Sequence, residues 1–400
     1  MDINLEKRRT IGIDARFYGP LGKGLGRYTQ EIVDNVIAIN ASEPIDYVIF
    51  LSKDNFDEFI CPNDNVRKEL INSRWYTLAE QFEVPYKWWK NKIDLMHFPH
   101  FNVPLIKVGP YVVTIHDLIL TKFPTHRAST LHPFIYWLKD KGYHLIISSA
   151  VRFAKKIITV SYFTKLDLIE QFRADDSKIE VTYEGVANLA KGNDSLFVAK
   201  LDNKKTLALY DIHVPFLLYI GNAYPHKNLE GLVSVFSKLH AKYHDLRLVF
   251  VGKEDYFYSR VKDFAKVNNL WQKENHNSPV VFTGYVPDAD LEALFQEASA
   301  YVFPSLYEGF GLPPLEAMAH GCPVVSSNRA SMPEILGEAA TYFNPENKDE
   351  MIEKIEEILN NSSQRERNIS LGYQQVKKYS WWECALSTSK IYQKALEKIK

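Results

Sequence analysis

Ala300-Tyr301-Val302-Phe303-Pro304-Ser305-Leu306-Tyr307-Glu308-Gly309-Phe310-Gly311-Leu312-Pro313-Pro314-Leu315-Glu316-Ala317 reads as one strand-turn-helix unit. Residues 300–303 are apolar throughout, as expected of a strand covered on both faces. Two glycines then let the chain turn, and Pro313-Pro314 opens a helix, whose first turn tolerates proline. Glu308 lies in the turn and Glu316 just inside the helix, about one turn from amides that can bind phosphate. The plain alternative makes both of them ordinary helix-start acids favoured by the helix dipole.

The same unit repeats outward from this stretch. Strands are expected at Phe216–Ile220, Arg247–Val251, Val280–Thr283, Pro323–Ser326 and Ala340–Phe343. Helices are expected between them at Leu229–Tyr243, Tyr258–Asn268, Asp288–Glu297 and Pro314–His320. Toward the N-terminus a second series runs Thr10–Asp14, Tyr47–Leu51, Asp94–Phe98, Tyr111–Ile115, Lys156–Val160 and Ile179–Thr182, with a helix from Tyr28 to about Ile39. Short apolar runs alternating with helical periodicity predict parallel sheets covered on both faces. The polar stretch Val186–His213 reads as the connection, with a weak helical pattern near Lys204–Tyr210. The tail from Asp349 is almost wholly helical, with a break near Ser380. The chain is therefore expected to be α/β, built as two doubly wound, Rossmann-like domains over residues 1–200 and 214–380, with residues 381–400 packing back on the first. Ligands of open α/β sheets sit outside the carboxyl ends of the strands, so two facing sheets would place a ligand in the cleft between them.

Composition narrows the classes. At 400 residues two domains are the natural expectation. A formal charge of −1, from 48 basic and 49 acidic residues, argues against nucleic acid as partner. Three widely spaced cysteines, Cys61, Cys322 and Cys384, suit a reducing compartment and offer no zinc pair. Met1–Thr10 lacks the apolar stretch of a signal peptide, and apolar runs are strand-sized, so a cytoplasmic location is expected.

Gly19-Pro20-Leu21-Gly22-Lys23-Gly24-Leu25-Gly26-Arg27 follows the first strand and leads into a helix. It is not a Walker A loop, because Leu25 stands where the lysine belongs, and Thr29 replaces the third glycine of a dinucleotide fingerprint. Gly24, Gly26 and Arg27 are candidates for phosphate contact; the plain alternative is a flexible turn.

Several segments in order carry a resemblance to glycosyltransferase family 4, retaining enzymes of GT-B fold. Glu308 and Glu316 match the family's Glu-x7-Glu signature. Phe216-Leu-Leu-Tyr-Ile-Gly221-Asn222-Ala-Tyr-Pro-His226-Lys227-Asn228 resembles its donor-pyrophosphate segment, and Val281-Phe-Thr-Gly284-Tyr285-Val286 the strand and loop beside the nucleotide base. Ile11–Arg16, Leu95–Pro99, Thr114-Ile-His116-Asp117 and Val181-Thr-Tyr-Glu-Gly185 match its N-terminal half. The resemblance implies that Lys227 contacts the pyrophosphate, a role suited to a compact ammonium. It also implies that Glu308 reaches the sugar and that Glu316 accepts from ribose hydroxyls. Phe310, Gly311 and Leu312 would present backbone to the sugar and phosphate, Tyr285 and Val286 would flank the base, and His116 would face the sugar. Asn222 and His226 occupy positions that are often arginine, so charge neutralisation must rest on Lys227, amides and Arg27. A strand-end His–Asp turn is the plain alternative for His116. Nearby His97 and His100 are taken as loop or acceptor-cleft residues, since the family needs no metal and no carboxylate spacing supports one.

By the same resemblance, a hexosyl group passes from a nucleotide-sugar to a saccharide or lipid-linked saccharide with retention. Mannose from GDP-mannose is favoured, with UDP-glucose and dTDP-rhamnose behind it. Cofactor and metal are not expected. Trp381-Trp382 would either tie the terminal helix to the first half or cover the second half's core. The aromatic–basic stretches Val84–Lys92 and His132–Lys156 fit either core packing or peripheral contact with an anionic membrane. A nucleotide-sugar-binding protein without activity, or an epimerase on the same fold, are the competing readings.

Overall fold

The computed structural model describes residues 8–123, 133–186, 203–273 and 277–397. They form two compact units. The first draws on Met1–Thr121, Leu131–Gly185 and Ser380–Lys400, the second on Lys122–Thr130 and Val186–Tyr379.

Among the described residues the first unit holds seven strands: β1 (Arg9–Asp14), β2 (Ile45–Leu51), β3 (Val66–Leu70), β4 (Leu95–Phe98), β5 (Tyr111–Ile115), β6 (Lys156–Thr159) and β7 (Ile179–Val181). They pair in the order β3-β2-β1-β4-β5-β6-β7, all parallel. The second unit holds six: β8 (Phe216–Ile220), β9 (Arg247–Val251), β10 (Val280–Gly284), β11 (Ala300–Phe303), β12 (Val324–Ser327) and β13 (Ala340–Phe343). Their order is β10-β9-β8-β11-β12-β13, again parallel. Counted from its own first strand, each sheet begins 3-2-1-4-5-6, the doubly wound order of Rossmann-like folds. The expected fold class is therefore observed in each unit.

Burial explains why the apolar runs become strands. All five residues of β5 and all four of β11 are buried, so helices cover both faces. The strand missing from the sequence reading is β3, Val-Arg-Lys-Glu-Leu, at the edge of the first sheet. An edge strand is half solvated, and its polar residues hide the apolar signal. Lys68 from β3 is held by the carbonyls of Phe56 and Phe59 at 2.8 and 3.2 Å.

One expectation about local structure is corrected. The first helix begins at Lys23, not Tyr28, so Gly24, Gly26 and Arg27 lie in its opening turns rather than in a loop. The glycines serve close packing. A Cβ at Gly26 would sit 2.2 Å from the Gly19 carbonyl oxygen and 2.7 Å from that of Phe17. At Gly24 a Cβ would meet nothing within 4 Å.

The helix Trp381–Glu397 belongs to the first unit and packs along the helix Lys23–Ile39. Trp381 is buried and Trp382 half exposed. Gly185 lies so close to Trp381 that a Cβ would be 2.1 Å from its backbone nitrogen. Ser389 donates to Asn40 Oδ1 at 2.9 Å, and the Tyr392 hydroxyl meets His97 Nδ1 at 2.6 Å.

The aromatic–basic stretch around Val84–Lys92 falls in the helix Glu80–Lys90 and divides between the two readings. Val84, Pro85 and Trp88 pack into the core, whereas Phe82, Tyr86 and Trp89 are exposed. Positions 82, 86 and 89 share one helix face. In the second stretch, His132 lies outside the described residues, as do positions 187–202 of the connection. The connection's described part contains the helix Asn203–Leu209. No described helix is long and apolar enough to cross a membrane.

Candidate active site

In the second sheet β8 and β11 are neighbours, but the chain leaves them toward opposite edges. The loops at their carboxyl ends therefore diverge and open a crevice, the usual ligand position in such sheets. One wall is the loop after β8, carrying Asn222, His226 and Lys227. The other is the loop after β11, carrying Ser305, Glu308 and Gly311. The Leu306 amide donates to the His226 carbonyl at 2.7 Å and joins them.

Lys227 Nζ forms an ion pair with Glu308 Oε1, and Ser305 Oγ donates to the same oxygen at 2.6 Å. Only 13% of the Lys227 side chain and 10% of that of Glu308 are exposed. A buried ammonium needs such a partner, because desolvation costs several kcal/mol per ion when it is unmatched. Ser331 Oγ lies 3.0 Å from the Glu308 carbonyl and 3.2 Å from that of Phe310, which fixes the turn from below. Phe310 itself is buried, edge-on to Tyr379 at 5.5 Å.

Gly311 caps the helix Leu312–Ala319 with φ of 102°, a conformation that favours glycine. A Cβ there would also lie 2.4 Å from Met332 Cε. Pro313 and Pro314 carry no N–H, so the amides this helix start can offer an anion are those of Gly311 and Leu312. Glu316 is half-buried one turn further on. Glu316 and Glu308 both act electrostatically on the buried Tyr301 hydroxyl, whose pKa is raised by burial first and then by these charges. The structure thus gathers Lys227, Glu308, Gly311, Leu312 and Glu316 around one end of β11.

The two positions that are often arginine in the family supply no cation. Asn222 closes its own turn, with Oδ1 3.5 Å from the Tyr224 amide and its carbonyl accepting from Tyr219 at 2.7 Å. His226 is buried, and burial followed by the charge of Lys227 lowers its pKa to about 4, leaving it neutral near pH 7. After β10, Tyr285 is 73% exposed and Val286 is buried, so the tyrosine ring offers a free stacking surface.

His116 belongs to the first unit, at the end of β5. Its Nε2 lies 2.9 Å from the Pro99 carbonyl and its Nδ1 3.1 Å from Glu184 Oε1. The carbonyl can only accept, so Nε2 carries hydrogen, and the carboxylate beside Nδ1 favours a second proton on the ring. Burial opposes that charge, but the Glu184 hydrogen bond and charge, the Pro99 carbonyl and Asp117 outweigh it, and the pKa is raised. Neither nitrogen is spare for a hydroxyl. Glu184 was not singled out from sequence, because the contact spans 68 residues and joins segments that follow β5 and β7, two strands separated by β6 in the sheet. Ser305 was missed too, although it sits three residues before Glu308.

His97 is neither a loop nor a cleft residue. It lies within β4, fully buried, between Thr114 Oγ1 at 2.9 Å and the Tyr392 hydroxyl, and burial followed by the charge of His116 lowers its pKa to about 3. Arg27 is half-buried on the first helix. No group of three or more described His, Cys, Asp or Glu side chains could hold a metal ion.

Two family profiles match the chain: "Glycosyl transferases group 1" over residues 211–375 and "Glycosyltransferase Family 4" over residues 70–187. The O-antigen chain mannosyltransferase B of Escherichia coli is 31% identical over 306 residues, covering 74% of each chain. The MMP alpha-(1->4)-mannosyltransferase of Mycolicibacterium hassiacum is 35% identical over 74% of this chain and 68% of its own. Among solved structures, the sucrose-phosphate synthase of Thermosynechococcus elongatus superposes with a TM-score of 0.74. It covers 98% of this chain and 100% of its own at 19% identity, a likeness of fold.

Proposed function

The chain belongs to the group 1 and family 4 glycosyltransferases, and on that premise we propose that it moves a hexosyl group from a nucleotide-sugar to a saccharide or lipid-linked saccharide with retention of configuration. Mannose is the favoured sugar and GDP-mannose the first donor, because relatives in two organisms are mannosyltransferases. Synthesis of a surface polysaccharide is the setting this suggests.

The observation that carries the proposal is the Lys227–Glu308 pair beside the Gly311 helix start, at the point where the second sheet's strand order reverses. An ammonium has three N–H groups, so Lys227 can keep Glu308 and still donate to a diphosphate oxygen. Lys227 and Ser305 both land on Oε1, and Oε2 is the acceptor we assign to a donor-sugar hydroxyl. As the glycosidic bond breaks, negative charge grows on the leaving diphosphate, and Lys227 with the Gly311 and Leu312 amides is aimed at it. The departing phosphate then takes the acceptor's proton, without metal or cofactor. Glu316 holds the ribose hydroxyls and Tyr285 stacks on the base.

A nucleoside diphosphate bound only by the folded chain raises its melting temperature, by about 2.7 kcal/mol of stabilisation at a hundredfold excess over Kd. GDP, UDP and dTDP should be compared, followed by turnover with the matching nucleotide-sugars. GDP is expected to give the largest shift. If none of the three moves the transition, the donor site is misassigned.

The exposed Phe82, Tyr86 and Trp89, with exposed Lys90 close by, support peripheral contact with anionic lipid. Flotation with phosphatidylglycerol vesicles should carry the protein upward and should fail for the Phe82→Ser/Trp89→Ser variant. Equal flotation of both would refute it.

A further inference from the structure

At the amino-terminal ends of its strands, the second unit holds a cavity of about 380 Å³ lined by His213, His240, His244, Asp245 and Arg247. His213 shortly precedes β8, Arg247 is the first residue of β9, and Pro279 leads into β10. These three strands are neighbours in a parallel sheet, so the segments that enter them share one edge. The Arg247 amide donates to the Pro215 carbonyl at 3.0 Å and the Leu248 amide to the Pro279 carbonyl at 2.9 Å, which ties the three together. The five residues of β8, about 15 Å of strand, separate this cavity from the loop that carries Lys227. One ligand group cannot serve both places.

The basic groups round it have capacity to spare. Arg247 gives Nη1 to the Ser278 carbonyl at 2.9 Å, and its Nε and Nη2 have no partner among the described residues. His240 Nδ1 lies 3.2 Å from the Leu246 carbonyl, which leaves Nε2 open. The side chains of His213, His244 and Asp245 make no hydrogen bond or ion pair among the described residues. His240 stands in the last turn of the helix Leu229–Lys242, where the terminal carbonyls favour a cation. The lysines of that helix end, Lys238 and Lys242, are already paired with Asp349 and Glu356.

We propose that this cavity binds the phosphate group of a small molecule, held by Arg247 at any pH and by His213, His240 and His244 once they are protonated. Arg247 and Asp245 cancel in charge, so each imidazole that takes a proton leaves a positive charge for a ligand to match. Imidazole is the side chain that gains this charge within roughly pH 5–8. Three histidines also suggest a metal, but no group of three or more described His, Cys, Asp or Glu side chains could hold one. A guanidinium and an imidazolium can only donate, so the ligand must accept. A carboxylate offers two coplanar oxygens, whereas these donors come from three separate segments and suit the oxygens of a tetrahedral phosphate. The binding does not depend on the transferase reading above.

The test is NMR of the histidine ring protons in the full chain, assigned through His213→Gln, His240→Gln and His244→Gln, with chloride holding the ionic strength constant. Inorganic phosphate at about pH 6 should move the three ring signals together and saturably. At about pH 8 binding should be at least about tenfold weaker, the cost of one lost charge-assisted hydrogen bond. Sulfate, whose charge is the same at both pH values, should show the same loss. Mannose 1-phosphate binding tighter than phosphate at these rings would mark an ester as the ligand; weaker binding would mark free phosphate, and either supports the site. His213→Gln/His244→Gln should weaken phosphate by about tenfold or more, while keeping the melting temperature and the GDP-induced shift of the wild type. Lys227→Met should leave the ring shifts intact, which separates this cavity from the donor crevice. Rings that stay still at pH 6, equal affinity at both pH values, equal affinity in the double variant, or loss of the ring shifts in Lys227→Met would each overturn the proposal.

Discussion

Lys227 is the residue on which donor chemistry turns, and its neighbours say what removing it does. Lys227→Ala leaves the Glu308 carboxylate buried with Ser305 alone. Turnover is expected to fall about 10²–10³-fold, the usual cost of one charge-stabilising donor. Lys227→Met, which preserves the stem, should lose as much, and steady-state kinetics on both variants will show whether charge or packing matters. The histidines make opposite pH predictions. His97, His100 and His226 are neutral when folded, with pKa values lowered by burial to about 3, 3 and 4. Their depressed values mean stability that is present above the unfolded pKa of about 6.5 and lost as pH falls toward 4. His116 is raised, so its contribution is complete below that value and fades as pH climbs through its folded pKa. Urea unfolding across pH 4–9 should show both limbs, and Glu184→Gln should flatten the alkaline one only. The residues proposed for the donor site stood out in sequence because most fall in two short motifs, Gly221–Asn228 and Ser305–Glu316, although Ser305 itself was missed. The Glu184–His116 pair did not, because nothing local marks a contact between segments that follow two separate strands.

At the level of elements, apolar runs located strands and failed where burial is one-sided. Strands such as β5, β8, β9 and β11 match the sequence reading to the residue, whereas the polar edge strand β3 was not visible. The start of the first helix was misread because glycine usually signals a loop. Here it signals backbone packed against backbone, a tertiary fact. Two substitutions separate these meanings. Gly26→Ala forces a Cβ into the Gly19 and Phe17 carbonyls and should lower the melting temperature or abolish folding. Gly24→Ala faces open space within a helix and should be neutral or stabilising, by up to about 1 kcal/mol. If Gly24 also touches a ligand, that variant will keep its stability and lose activity.

For the whole molecule, two successive strand–helix series were enough to predict two doubly wound sheets, since each series buries its own core. The first unit is discontinuous in sequence, and its last helix packs along the first helix while Tyr392 reaches the sheet through His97. A chain ending at Tyr379 should therefore lose the cooperative unfolding of the first unit. Its second unit should still respond to nucleoside diphosphate, a combination that calorimetry can resolve. All of this assumes that the diphosphate sits where β8 and β11 part. A crystal of the protein grown with GDP is the direct examination: phosphate density should lie against Lys227 Nζ and the amides of Gly311 and Leu312, with the ribose toward Glu316. Ordered nucleotide density elsewhere, with Lys227 still closed on Glu308 and no phosphate beside it, would contradict the assignment.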